Sequence, residues 1–232
     1  MLRYTTSSGA FHSIVMASMM EALSPNPPIV NHRWFAALYD LFEGIDKKWA
    51  ERTRRAVAGG ATGVVLEIGC GTRFNLNYYD WPKVTSLDAT DPDPNMLRRA
   101  GARQQKLALD AQAKVKLHQV PAEVLTFPDE HFDTVVSPLV LCTVSRPDQA
   151  ISEVRRVLKP GGQFRLAEHV AASGFTGGFQ KAIQPVYGWV AAGCQLHRHT
   201  EQALLDAGLR LEVEDRHKMA PFAPAFQGVA YR

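Results

Sequence analysis

The residues best placed to do chemistry sit in a short loop, Glu67-Ile68-Gly69-Cys70-Gly71-Thr72-Arg73-Phe74. Two glycines one residue apart let the backbone turn tightly and approach a ligand closely. A dinucleotide fingerprint needs a third glycine at position 74, where Phe74 stands, and a phosphate-binding Walker loop needs a Gly-Lys-Ser/Thr ending that is absent. The acid two residues before the first glycine repels phosphate and attracts an ammonium group. A second acidic stretch follows in Leu87-Asp88-Ala89-Thr90-Asp91-Pro92. A carboxylate at that point accepts hydrogen bonds from ribose hydroxyls in doubly wound folds. A ligand carrying an ammonium group and a ribose describes S-adenosylmethionine. Further along, Glu168 and His169 are candidates for a general base, with His197 and His199 beyond them. Cys194-x-x-His197-x-His199 offers three donors on one short loop with no further cysteine partner. No metal is expected there, and the histidines read as solvated neighbours of Arg198.

Regular elements must hold these residues. Val64–Ile68 is a short apolar strand running straight into Gly69, and Val84–Asp91 is a second strand. Pro94 to about Gln112 reads as a helix opened by Asp-Pro steps. Val115–Val120 and Phe132–Ser137 follow as strands, then a helix over Pro147–Leu158 that Pro160-Gly161-Gly162 should stop. Phe164–Val170 is the fifth strand. A helix over about Phe179–Ala192 carries Pro185, which should kink or break it. A short helix spans Thr200–Ala207, and strands near 209–218 and 226–231 close the chain. Strand and helix alternate from residue 64 to residue 170, which argues for a parallel sheet covered on both faces. Ligands bind such sheets at the carboxyl ends of the strands, and both acids and both glycines fall there.

Composition agrees with a globular α/β protein. The chain has 232 residues, 46% of them hydrophobic and 21% charged, which excludes a disordered or collagen-like chain. Lys and Arg number 26 against 23 Asp and Glu, and they form no basic run, so no nucleic-acid partner is expected. Three widely spaced cysteines, Cys70, Cys142 and Cys194, lack any CxxC pair and point to a reducing compartment, with a cytoplasmic location as the default. Cys70 and Cys142 read as small buried fillers. Residues 1–20 contain Arg3, several Ser and Thr, and no acid. A mitochondrial-type presequence, an amphipathic lid or membrane-surface helix, and a loosely ordered or packed extension all suit them, the last being favoured. Ser24-Pro25-Asn26-Pro27-Pro28 then reads as a linker. The expected division is residues 1–30 as an N-terminal extension and residues 31–232 as one domain.

The segments Val65-Leu66-Glu67-Ile68-Gly69-Cys70-Gly71-Thr72, Asp91-Pro92-Asp93-Pro94-Asn95-Met96-Leu97, Ala122-Glu123-Val124-Leu125-Thr126-Phe127-Pro128-Asp129, Phe132-Asp133-Thr134-Val135-Val136 and Glu153-Val154-Arg155-Arg156-Val157-Leu158-Lys159-Pro160-Gly161-Gly162 together resemble the class I S-adenosylmethionine-dependent methyltransferases. They are most similar to the ubiquinone-biosynthesis-like group with the methyltransferase type 11 domain. Leu139-Val140-Leu141-Cys142-Thr143-Val144, Glu168-His169-Val170-Ala171 and Gly193-Cys194-Gln195-Leu196-His197-Arg198 are similar to the thiol methyltransferase-like group. The animal members of that group carry a membrane-associating N-terminal segment, and residues 1–28 here are less apolar. The resemblance implies a Rossmann-like, doubly wound, seven-stranded and mostly parallel sheet with an antiparallel last strand and an N-terminal helical cap.

The resemblance also implies a cofactor site for S-adenosylmethionine. Gly69, Cys70 and Gly71 would pass under its methionine part, with Asn75 nearby, and Glu67 would meet its amino group directly or through water. Asp91, followed by Pro92, would bind the ribose, with Asp88 as the competing acid. Met96 would pack on the adenine, Ala122 and Glu123 would meet its edge, and Leu139 would lie beside the cofactor. Tyr39 matches a family tyrosine on the covering helix. Two positions depart from the family pattern: Arg73 stands where glycine is usual, and Pro121 where aspartate is frequent.

A methyl transferase must align a nucleophile and exclude water, and positioning supplies most of the effect. A thiol needs little help from a base and an alcohol needs much. The expected acceptor is a small, fairly apolar molecule, thiol first and oxygen or nitrogen next. Trp34, Tyr78, Tyr79, Trp81, Tyr187, Trp189, Phe222 and Phe226 are candidates for its pocket, although such aromatics are more often core. A lipid or quinone methyltransferase is one alternative and a non-catalytic cofactor-binding protein another. A monomer or homodimer is expected.

Overall fold

The computed structural model describes residues 47–232, apart from residues 73, 192 and 221. Helix α1 (Lys47–Val57) leads into strand β1 (Gly63–Glu67). Strand β2 (Val84–Thr90), helices α2 (Pro94–Gln104) and α3 (Leu109–Ala113), and strands β3 (Val115–His118) and β4 (Phe132–Pro138) follow. The chain continues through α4 (Pro147–Val157), β5 (Leu158–His169), α5 (Gly174–Val190), α6 (Thr200–Asp206), β6 (Arg210–Ala220) and β7 (Ala223–Tyr231).

The strands form one sheet in the order β3-β2-β1-β4-β5-β7-β6. β1 pairs in parallel with both β2 and β4, and β4 with β5. β7 slots between β5 and β6, antiparallel to both, so the expected seven strands and antiparallel last strand are present. Strand order reverses at β1, and the crevice outside the carboxyl ends of β1 and β4 is the switch point where such sheets take ligands. Parallel strands covered on both faces read as continuous apolar runs. Val65, Leu66 and Ile68 in and after β1, and Val135 and Val136 in β4, are fully buried accordingly. One face packs Leu66, Phe132, Phe164 and Phe226 against Ile151, Val154 and Val157 of α4. The other packs Val65, Leu87 and Val136 against Val57 and Ala58 at the end of α1. Truncating any of the three buried phenylalanines would cost about 3–5 kcal/mol.

Local chemistry sets the boundaries. Asp93 caps α2 by accepting the Asn95 amide at 2.7 Å, and Pro94 occupies the first turn, where its missing N–H costs nothing. The expected helix over 94–112 is interrupted, with Gln104 closing α2 and α3 beginning at Leu109. Pro160-Gly161-Gly162 does not separate helix from strand. β5 begins at Leu158; the amide of Gly161 (φ 76°) donates to the Arg232 carbonyl and the Arg232 amide donates to the Gly162 carbonyl, which carries the strand through the irregularity. Pro185 lies inside α5 without ending it. Arg165 of β5 donates to the carbonyls of Ala56 and Val57, fastening the end of α1 to the sheet.

Candidate active site

The site is built at the carboxyl edge of β1, β2 and β4. Glu67, the last residue of β1, is fully buried. Asn75 Nδ2 donates to its Oε1 and the Tyr79 hydroxyl to its Oε2, both at 2.7 Å. Both donors come from the turn after the glycine loop, so the carboxylate ties that loop down. Asn75 is itself buried, and its Oδ1 accepts no hydrogen bond among the described residues. A buried acceptor without a donor is costly, and beside a carboxylate it suits an ammonium group.

The loop turns at two glycines of positive φ, Gly69 at 56° and Gly71 at 54°. A Cβ on Gly69 would lie 2.6 Å from Val140, so the loop there touches the segment after β4. A Cβ on Gly71 would meet nothing within 4 Å among the described residues, which marks an open cradle. The Gly71 amide donates to Asp91 Oδ2 at 2.9 Å, and the Asp93 amide to Oδ1 at 2.9 Å. Burial pushes the Asp91 carboxyl up to about 6, more than these two amides lower it. Asp88 turns elsewhere and pairs with His118 on β3 at 2.7 Å. Of the two acids, Asp91 is therefore the one at the switch point. Arg103 of α2 donates to the hydroxyl and carbonyl of Thr72, holding the far side of the loop.

The other expected cofactor residues gather on the same edge. Pro92 follows Asp91, and Met96 is buried in the first turns of α2. Ala122 is buried, and the buried Glu123 accepts the amides of Ser145 and Arg146, so its carboxylate braces the entry to α4. Leu139 follows β4 with φ 59° while its amide donates to Ala167. A non-glycine residue in that region stores strain, a frequent mark of a functional edge. Cys70 is buried and its amide donates to Thr90. Tyr39 and Arg73 lie outside the described residues.

Glu168 and His169 end β5. Glu168 is fully buried, and its carboxylate accepts the amides of Val140 and Leu141 at 2.8 and 2.7 Å and of Cys142 at 3.0 Å. Burial raises it to about 7 against those bonds. Its geometry is that of a group shaping the segment after β4. His169 is also buried. Its Nδ1 lies 3.4 Å from Cys194 Sγ, and Nε2 has no partner among the described residues. Cys194 Sγ lies 3.4 Å from Cys142 Sγ. His197 and His199 do not join this group: His197 meets Gln184, and His199 stands at the N-terminus of α6.

The aromatic candidates divide. Tyr79 binds Glu67, Phe226 is core, and Tyr187 and Phe179 pack around Phe222 near the end of β6. Trp34 and the Trp189 side chain lie outside the described residues. Sequence reasoning did not foresee the Tyr79–Glu67 bond, nor the meeting of Cys142, His169 and Cys194. Both join residues whose proximity only the folded sheet creates.

A Rossmann-like sheet with an acid ending β1, an open glycine turn and an acid just after β2 defines a nucleoside-binding enzyme of the doubly wound class. Residues 66–166 match the family described as a methyltransferase domain. Over 167 residues the chain is 34% identical to human thiol S-methyltransferase TMT1A, covering 68% of this chain and 64% of that protein. It is 32% identical to phosphatidylethanolamine N-methyltransferase of Cereibacter sphaeroides, over 82% of this chain and 89% of that one. A SAM-dependent methyltransferase from Thermotoga maritima shares the fold, with TM-score 0.62, 20% identity, and coverage of 86% and 97% of the two chains. The chain belongs to this methyltransferase family and is an S-adenosylmethionine-dependent enzyme.

Proposed function

We propose that the enzyme methylates a small, fairly apolar thiol. The observation that carries the methyltransferase site is the pair of buried acids, Glu67 and Asp91, on either side of the open turn at Gly71. The unpartnered Asn75 Oδ1 beside Glu67 fits the cofactor's ammonium group, and Asp91 fits its ribose hydroxyls. Gly69, Cys70 and Gly71 would line the methionine part. Met96, Ala122 and Glu123 would bound the adenine, with Pro92 beside the ribose and Leu139 beside the reacting centre. The likeness to a thiol S-methyltransferase supports sulfur as the acceptor atom.

When bound, S-adenosylmethionine supplies a methyl group made electrophilic by a sulfonium sulfur. The chain's part is to bind, orient and exclude water. Glu67, held by Asn75 and Tyr79, fixes the amino-acid end. Asp91 couples the ribose site to the glycine loop through the Gly71 amide, so both ends of the cofactor bear on one turn. Glu168 sets the segment from Val140 to Cys142 that faces the loop at Gly69. A thiol, with an ordinary pKa of about 8.5, is far more acidic than an alcohol, so no strong base is required of His169.

A panel of thiols, phenols and amines, read by formation of the demethylated cofactor, tests the proposal. Turnover confined to phenols or amines sinks the thiol reading. The likeness to a phosphatidylethanolamine methyltransferase favours a lipid amine as the second reading, and turnover on vesicles carrying that headgroup, with none on thiols, would select it. Absence of cofactor binding to a Glu67→Gln, Asp91→Asn double variant, with binding by the wild type, is expected if these two acids hold the cofactor. Among the described residues no helix is long and apolar enough to cross a membrane.

A further inference from the structure

Three soft or borderline donors converge where no local motif announces them. Cys142 follows β4, His169 ends β5, and Cys194 follows α5. All three side chains are buried, and their ligand atoms lie within 4.8 Å of one another. The Sγ–Sγ and Sγ–Nδ1 separations are both 3.4 Å. Zinc–sulfur bonds of about 2.3 Å and zinc–nitrogen bonds of about 2.0 Å place tetrahedral ligand atoms roughly 3.5–3.8 Å apart. The donors therefore need to part by only a few tenths of an ångström.

The surroundings hold the donors in place. The Cys142 amide is bonded by Glu168, and its carbonyl accepts the Gln195 amide at 2.8 Å. The Cys194 carbonyl accepts Gln184 Nε2 at 2.9 Å. Arg198 donates to the carbonyls of Leu141 and Val144 on either side of Cys142. Ligands held by such supporting bonds keep their geometry as a metal binds. Two thiolates and a neutral imidazole also balance a divalent cation, leaving no net charge from the cluster to bury.

We infer that Cys142, His169 and Cys194 form a site for a zinc-type divalent cation whose fourth position takes the acceptor thiol as its thiolate. No fourth His, Cys, Asp or Glu joins the group among the described residues, and three protein ligands with one open position is the arrangement of catalytic rather than structural zinc. The cluster adjoins the cofactor floor, because Val140, two residues before Cys142, is the side chain that Gly69 abuts. On binding, the acceptor's S–H bond breaks, its sulfur lone pair forms the metal–sulfur bond, and the proton leaves to water. The acceptor part of this inference rests on the thiol reading above, while the three-ligand site does not.

The test is a cobalt(II) titration of the full-length protein, made metal-free and kept reduced without thiols. One equivalent should give a thiolate-to-cobalt charge-transfer band and the intense visible bands of a tetrahedral ion. Adding a small apolar thiol should strengthen the charge-transfer band. Cys142→Ser and Cys194→Ser should each weaken it, and the double variant should abolish it. Cadmium-113 NMR of the unsubstituted protein counts sulfur ligands without any variant, and two sulfurs are expected before the thiol is added. No charge-transfer band at one equivalent, or a band that survives the double substitution, overturns the site. Thiol turnover by metal-free enzyme at the full rate overturns the acceptor role while leaving the proposed function standing. A two-sulfur site in an enzyme that methylates no thiol upholds the site and overturns the thiol reading.

Discussion

Asp91 accepts the Gly71 amide at 2.9 Å, so the acid that follows β2 grips the turn that follows β1. The same carboxylate takes the Asp93 amide at the start of α2. One buried side chain thus joins two strand ends and a helix start around the proposed ribose site.

That buried carboxyl has a pH signature. Burial raises it to about 6 from an ordinary 3.8. Between those values the folded protein holds a proton that the unfolded chain has released, so stability falls as pH rises through this window. Above about 6 the cost is fully present. Ribose hydroxyls donate to the charged form, so cofactor affinity should run the opposite way and weaken as pH falls through about 6. Asp91→Asn should flatten both profiles and weaken cofactor binding at neutral pH by roughly 10- to 100-fold, from the loss of one charge-assisted bond. Calorimetry across the acid range checks it, and a variant that keeps wild-type affinity would remove Asp91 from the site.

The two loop glycines should fail differently. Both sit at positive φ, where a side chain costs about 1–2 kcal/mol. Gly69→Ala adds a clash with Val140 at 2.6 Å and should lower thermal stability with or without cofactor. Gly71→Ala places its methyl in open space, so its stability loss should stay near the backbone cost while cofactor affinity collapses. Thermal melts with and without cofactor separate the two, and equal behaviour of the variants would contradict the assignment of the cradle to Gly71.

Glu168→Gln tests the brace after β4. A carboxylate accepts three amides there, from Val140, Leu141 and Cys142. An amide side chain keeps one acceptor oxygen and turns an NH2 toward the remaining donor. About 1–3 kcal/mol of stability should be lost for the buried group left unpaired. Chemical denaturation measures this, and hydrogen exchange should show faster opening of residues 140–142 than of β1.

Much of this architecture was legible in the sequence, for physical reasons that also mark where reading stops. β1 and β4 are buried on both faces, so their apolar runs stand out, and β1 ends on glycines that announce the loop. The family register prefers Asp91 to Asp88, and the fold sets Asp91 against the Gly71 turn. Pro160-Gly161-Gly162 misled because its strand continuity depends on Arg232, the last residue of the chain. The three amides from a distant loop that Glu168 accepts cannot be seen from its neighbours in sequence. The cluster of Cys142, His169 and Cys194 was invisible for the same reason: its two sulfurs are 52 residues apart, whereas the donors near Cys194 in sequence are His197 and His199.

Tyr79 offers the sharpest check on the cofactor's amino-acid end. Its hydroxyl donates to Glu67 Oε2 at 2.7 Å while Asn75 holds Oε1. Tyr79→Phe keeps the ring, which packs near Trp81 with centroids 5.6 Å apart, and removes one bond to a fully buried carboxylate. Bonds to charged groups contribute about 1.5–3 kcal/mol, so the cofactor-free variant should melt lower by several degrees. The cofactor's ammonium would bring new donors to the same carboxylate. Saturating cofactor should therefore raise the melting temperature of Tyr79→Phe by more than that of the wild type at equal site occupancy. Asn75→Ala, which also deletes the unpartnered Oδ1 acceptor, should lose affinity outright. Differential scanning calorimetry at matched saturation measures the first effect and a binding isotherm the second. If cofactor stabilises both variants no differently from the wild type, Glu67 and Asn75 do not receive the ammonium group.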